Sequence, residues 1–197
     1  LPGAPKDAQY ADIDGVRVRF EDKGQGPAVV LVHGFASSLE TWATVTPALL
    51  GKHRVLSLDR KGFGWTERPE GDYSPPAQAK LVLGLMKARG IEQADVVAHS
   101  WGSSVALQLA LAAPTKVKKL ALYDAWVYEE QLPNFFLWAR ADGVGEALFS
   151  LFYKERADER MAFAFYDKER FMTEQLVEDV DRALERPGTV AAALAAV

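Results

Sequence analysis

The stretch Ala94 to Ala113, ADVVAHSWGSSVALQLALAA, constrains the fold more than any other part of the sequence. Val96, Val97 and Ala98 form a short apolar run. His99, Ser100, Trp101 and Gly102 interrupt it, and about eleven residues of helix-forming, mostly apolar sequence follow. This order predicts a strand, a sharp turn and a helix, with one hydroxyl at the tip of the turn. Such a turn sets the Ser100 Oγ at the C-terminal edge of a sheet, beside a helix N-terminus. A nucleophile needs that position. The tight backbone also needs small residues two before and two after the serine, and Ala98 and Gly102 supply them. A buried strand running into a helix, with an incidental serine, accounts for the same residues without chemistry. On this stretch alone both readings stand.

The flanking sequence predicts the sheet into which this unit fits. Tyr10–Ile13 and Val16–Glu21 flank Asp14-Gly15, a two-residue hairpin signal. Val16, Val18 and Phe20 alternate with Arg17, Arg19 and Glu21, so the hairpin is expected to bury one face and to sit at a sheet edge. Residues 1–9, rich in Pro and Ala, are expected to be frayed. Ala28–Val32 and Val55–Leu58 are continuously apolar, as strands covered on both faces are. Between them Ser37-x-x-Glu40 reads as a capping box for a helix with Trp42, Val45 and Leu49 on one face. Ala77–Arg89 reads as a helix with Leu81, Val82, Leu85 and Met86 inward and Gly90 as its cap. Pro114 stops the helix after Ser100, and Val117–Tyr123 is a further strand ending at Asp124. Alternating strands and helices predict an α/β fold, with a mostly parallel sheet and helices on both faces. Ligands of such sheets bind at the C-terminal strand ends, where Phe35, Asp59, Ser100 and Asp124 all fall. That convergence favours the chemical reading of Ser100.

From Ala125 the character changes. Strand signals stop, and this part holds 12 of the 21 aromatics and a charge of −6, against +2 for residues 1–124. The expected division is therefore 1–124 as an α/β core and 125–197 as a helical cap over the serine, with a plain helical bundle as the alternative. The net charge of −4 offers no electrostatic reason for a nucleic-acid partner. No apolar run reaches the roughly 18 residues of a membrane span. The absence of cysteine rules out thiolate metal sites and Cys nucleophiles, and His33, His53 and His99 are too scattered to suggest zinc. Gly143-x-Gly145 follows no strand and is not a dinucleotide fingerprint. The expected partner is a small-molecule substrate, with no metal and no cofactor. The location in the cell stays open.

Three motifs together, VVLVHGF (29–35), the D-x-x-G-x-G-x-T form of Asp59 to Thr66, and VVAHSWG (96–102), resemble those of the α/β-hydrolase family. The resemblance is to its serine-nucleophile branch with a helical cap, and it covers about residues 8–124 well and the cap more loosely. It implies that Ser100 attacks a carbonyl carbon and forms an acyl-enzyme. It implies backbone N–H groups of Phe35 and Trp101 as an oxyanion hole. It makes His33, Gly34, Asp59 and Gly102 structural supports, and Asp124 a possible acid. Related dehalogenases and epoxide hydrolases carry Asp at the nucleophile position, so serine points to acyl chemistry. Trp65, Trp126, Phe136 and Trp138 are expected to line the pocket. His99 should turn away from the serine, and His53 reads as a surface residue.

A serine hydroxyl needs a base, and the family order is Ser, acid, His. The 97 residues after Ser100 contain no histidine. The last residues, VAAALAAV, run apolar without a polar stop, and Val117–Tyr123 is expected to be an open sheet edge. The expectation is that about 80–110 further residues, including the last strands, the histidine and an acid, belong to a missing C-terminal segment or a second chain. Two functions remain: a serine hydrolase of small, apolar carboxylic esters completed by that segment, or a non-catalytic ligand-binding module of the same fold.

Overall fold

The computed structural model describes residues 3–141, 143–152 and 165–197. Asp14 and Gly15 have φ of 51° and 79°, the left-handed pair that a two-residue hairpin turn requires. They join β1 (Gln9–Ile13) to β2 (Val16–Gly24) in antiparallel register, Ile13 opposite Val16. β3 (Ala28–Val32), β4 (Arg54–Leu58), β5 (Ala94–His99) and β6 (Val117–Tyr123) run parallel, and the sheet order is β1-β2-β4-β3-β5-β6. The hairpin forms one edge, with β2 antiparallel to β4. β6 forms the other edge, where Leu120 and Tyr123 are exposed.

Both faces of the central strands are covered, which is why β3 and β4 lack alternation. Val30, Val32, Leu56, Leu58, Val96 and Ala98 join one core with helices α2 (Pro75–Ala88) and α3 (Gly102–Ala112). Val29, Leu31 and Val55 meet Trp42 and Leu49 on the other face. The four residues expected inward on α2, Leu81, Val82, Leu85 and Met86, are all buried. Each such large side chain contributes about 1.5–3 kcal/mol. α2 begins two residues earlier than predicted because Pro75 and Pro76 fit a first helical turn, where no N–H is needed.

Two local expectations fail for one reason. The capping box at Ser37–Glu40 is not made. That segment is a 3₁₀ turn, Leu39–Trp42, followed by a short helix α1 (Thr46–Leu50). Glu40 instead accepts a bond of 2.5 Å from Arg19 Nη2. Arg19, expected on the open face of β2, is buried, because Glu40, Asp59 and Thr66 close over it. A buried guanidinium outbids a local cap for a carboxylate.

After Asp124 the chain leaves the sheet and forms α4 (Asn134–Ala139), α5 (Val144–Phe152), α6 (Lys168–Phe171), α7 (Glu174–Leu184) and α8 (Thr189–Ala195). Phe135, Phe136 and Phe149 pack edge to face or tilted around Phe35 of the core. The apolar run of α8 is seated there too: Ala193 joins that cluster and Ala192 packs on Gly62. Arg186 donates to the Gly64 and Thr66 carbonyls, and Arg68 to the Ala183 carbonyl, tying the ends of α7 and α8 to the loop after β4.

Candidate active site

Ser100 stands between β5 and α3 with φ 52°, a left-handed conformation that a non-glycine residue holds only when its surroundings impose it. Three backbone bonds impose it here. The Ser100 N–H donates to the Tyr123 carbonyl at 2.9 Å, and the Ser100 carbonyl accepts from Ser103 N at 2.9 Å and Trp126 N at 3.2 Å. The predicted turn is therefore present, with the side chain at the sheet's C-terminal edge.

Two glycines let the neighbouring loop approach. A Cβ on Gly102 would lie 2.4 Å from the His33 carbonyl oxygen, so only glycine lets α3 start this close to the end of β3. A Cβ on Gly34 would lie 3.0 Å from the Ser100 Cβ. The loop after β3 thus passes directly beside the serine.

That loop is held by buried polar groups. His33 Nδ1–H donates to the Gly34 carbonyl at 2.8 Å, and its Nε2 accepts from Arg60 N at 3.0 Å, so both ring nitrogens are occupied and the tautomer is set. Burial, then the Arg60 charge, hold the His33 pKa well below its ordinary value, and the ring is neutral. Arg60 is wholly buried; its Nε donates to the His33 carbonyl at 3.0 Å and its Nη2 to the Gly34 carbonyl at 2.7 Å. Its guanidinium lies between the rings of Phe63 and Trp101, 4.6 and 4.4 Å from their centroids. Burial pushes it down to about 9, which leaves it charged at neutral pH.

Asp59 organises the next loop. Its carboxylate accepts from Leu39 N and Trp65 N, both at 2.7 Å, and from Arg19 Nη1 at 3.2 Å. Burial pushes its pKa up to about 6 against those donors. Gly64 is obligatory here, with φ 50° and an imagined Cβ 2.3 Å from the Asp59 carboxyl carbon.

The amides of Phe35 and Trp101 flank the serine on the two loops. Among the described residues neither donates to a protein oxygen. Phe35 turns its ring into the aromatic cluster, 5.0 Å from Phe136. Trp126 is half-buried, 5.4 Å from Phe136, and Ser104 Oγ donates to its carbonyl. Trp65 is buried under Arg186. Trp138 corrects the expectation of a pocket residue: it is 61% exposed, because α4 turns Phe135, Phe136 and Ala139 inward and leaves Trp138 on the outer face. A narrow cleft opens beside the same loop, lined by Ala36, Phe63, Val180, Ala183 and Leu184 among others.

Asp124 follows β6 at φ 44° and is exposed. Its charge acts on His99, whose pKa burial lowers. His99 Nδ1 lies against Gly34 and has no hydrogen-bond partner among the described residues. His53 precedes β4, at the opposite end of that strand from Asp59. Among the described residues no group of His, Asp and Glu gathers as a metal site. Sequence reasoning missed Arg60 and Arg19, since a charge beside or within a strand carries no local sign of burial.

A family model described as alpha/beta hydrolase fold matches residues 27–179. The chain is 33% identical over 138 residues to 2-hydroxy-6-oxo-2,4-heptadienoate hydrolase of Pseudomonas putida, covering 61% of this chain and 50% of that one. It is 30% identical over 139 residues to a fluoroacetate dehalogenase of Burkholderia, covering 68% and 44%. The crystal structure of Cfl2 from Burkholderia cenocepacia superposes with a TM-score of 0.87 at 28% identity, over 95% of this chain and 69% of that one. The chain spans half or less of the length of these two curated relatives. Motifs, sheet order and family match agree, and the chain belongs to the alpha/beta hydrolase fold family.

Proposed function

We propose that Ser100 is the nucleophile of a serine hydrolase acting on a small, apolar carboxylic ester. The observation that carries this reading is Ser100 at φ 52°, beside two amides that have no protein acceptor among the described residues. Ser100 Oγ attacks the carbonyl carbon while its proton passes to a base. The N–H groups of Phe35 and Trp101 receive the oxyanion, a role in which one donor is typically worth about 3–4 kcal/mol. Collapse expels the alcohol and leaves an acyl-enzyme, which water hydrolyses. The apolar cleft beside Ala36 and Phe63 and the aromatic cluster around Phe35 support an apolar acyl group. The helices described after Asp124 act as the cap that covers it.

The base is none of the three histidines of this sequence. His33 has both nitrogens occupied, His53 stands at the far end of β4, and His99 packs on Gly34. We place it on a histidine outside these 197 residues, in a further segment or a second chain, with Asp124 or an acid of that segment to orient it. A fluorophosphonate probe tests the nucleophile. Labelling of the full-length protein at Ser100, absent in Ser100→Ala, is expected. No labelling at Ser100 would leave a binding module instead.

A second reading comes from the Pseudomonas putida relative, whose named substrate is an unsaturated oxo acid rather than an ester. The same serine would then attack a ketone carbonyl and keep the acyl fragment as an acyl-enzyme, while the carbon–carbon bond breaks, the departing carbon takes up a proton, and water finally hydrolyses the ester. Turnover of oxo-dienoates but not of short esters selects this reading.

A further inference from the structure

Arg60 is a buried cation with no acidic partner among the described residues, and the reading of Ser100 does not by itself use it. Its contacts define its task. The Gly34 carbonyl and the Phe35 N–H belong to one planar trans peptide, so they point in opposite directions. Arg60 Nη2 and His33 Nδ1 both donate to that carbonyl, at 2.7 and 2.8 Å. Gripping the oxygen aims the N–H the other way, and the same loop passes Ser100 closely: a Cβ on Gly34 would lie 3.0 Å from the Ser100 Cβ. A charged donor on a carbonyl also polarises the N–H at the other end of the peptide and strengthens it as a donor. The second bond, Nε to the His33 carbonyl, stops the preceding peptide from rotating. The guanidinium also stacks on Trp101, the residue that supplies the other amide.

We propose that Arg60 is the positioning residue of the oxyanion donors: it orients and polarises the Gly34–Phe35 peptide and fixes the Trp101 side of the same site. This rests on the reading of Ser100 as nucleophile. The geometry predicts a contribution felt where negative charge develops and little where neutral substrate binds.

The test uses the full-length protein, first shown to label at Ser100 with the fluorophosphonate probe. Failure of that step removes the nucleophile reading and the proposal with it. With labelling established, Arg60→Met and Arg60→Lys are compared with Leu85→Ala, a core truncation remote from the site that sets the baseline for general destabilisation. Arg60→Met should lower kcat about 10–100-fold with KM within about threefold, since the donor is misdirected rather than deleted. A trifluoromethyl ketone inhibitor, which forms an oxyanion on Ser100, should weaken by the same factor as kcat/KM. Arg60→Lys should fall between Arg60→Met and the wild type, because an ammonium can keep one carbonyl bond. If Arg60→Met does not fold, Arg60→Lys carries the same comparison of kcat, KM and inhibitor affinity. Loss confined to KM, unchanged inhibitor affinity, or a kcat equal to that of Leu85→Ala at matched thermal midpoint would each overturn the proposal.

Discussion

The two flanks of Ser100 are built differently. On the side of β3 and β4, His33, Asp59, Arg60 and Thr66 are fully buried and bonded to backbone on neighbouring loops. On the side of β6 and the helices after it, Tyr123 and Asp124 are exposed, and Trp126 is held by one bond to the Ser100 carbonyl and one from Ser104. The first flank presents groups that cannot reorganise, as electrostatic stabilisation of a developing charge requires. The second is aromatic and partly open, and such contacts readjust at low cost. Among the described residues, the β3–β4 side of this elbow is the more firmly preorganised of the two.

Four experiments test that contrast. Asp59→Asn should be the most damaging. It leaves the Arg19 guanidinium buried without its full countercharge and turns an amide toward a backbone N–H. A loss of about 3–5 kcal/mol is expected in urea unfolding, and a loss under about 1 kcal/mol would show the flank to be less rigid than its bonds imply. Gly102→Ala should cost about 1–3 kcal/mol, since its methyl must push the His33 carbonyl away, and probe labelling should fall with it. Labelling unchanged in a stable protein would uncouple the two loops.

Acid titration separates His33 from His99 by slope. His33 and His99 both have folded pKa values below the ordinary value of 6.5, so the unfolded chain binds more protons. Stability should therefore fall as pH drops from 7 through about 6, with a limiting slope of about 1.4 kcal/mol per pH unit from His33. Asp59, raised to about 6, takes up its proton in the folded state as pH falls through that value, and so opposes this loss from about pH 6 downward. His33→Asn should flatten the slope more than His99→Asn, because His99 is less deeply buried; the reverse order would contradict the contrast. Trp138→Ala, on the outer face of α4, should change stability by less than about 0.5 kcal/mol.

Much of this architecture is legible in the sequence. The hairpin at Asp14-Gly15, the uninterrupted apolar strands, the inward face of α2 and the turn at Ser100 all follow from spacing and small residues within a few positions. The misreadings share another origin. Alternation along β2 sends Arg19 outward, but Glu40 and Asp59, 21 and 40 residues away, draw it in. The same pull takes Glu40 away from its predicted cap. Trp138 looks like a lining residue by type, but the face on which it lies depends on where α4 docks.

By itself the sequence determined that a strand, a tight turn and a helix would display Ser100 at a sheet edge. That outcome depends on local sterics: Ala98 and Gly102 permit the turn, and apolar periodicity sets the elements on either side. Only the tertiary structure decided which charges are desolvated and what holds them. Arg60 and the Gly34 carbonyl are 26 residues apart, and nothing along the chain signals that they meet. A buried charge must find its partners wherever the fold brings them. That long-range requirement is why the position of the serine is readable from sequence, while the machinery around it becomes visible only in three dimensions.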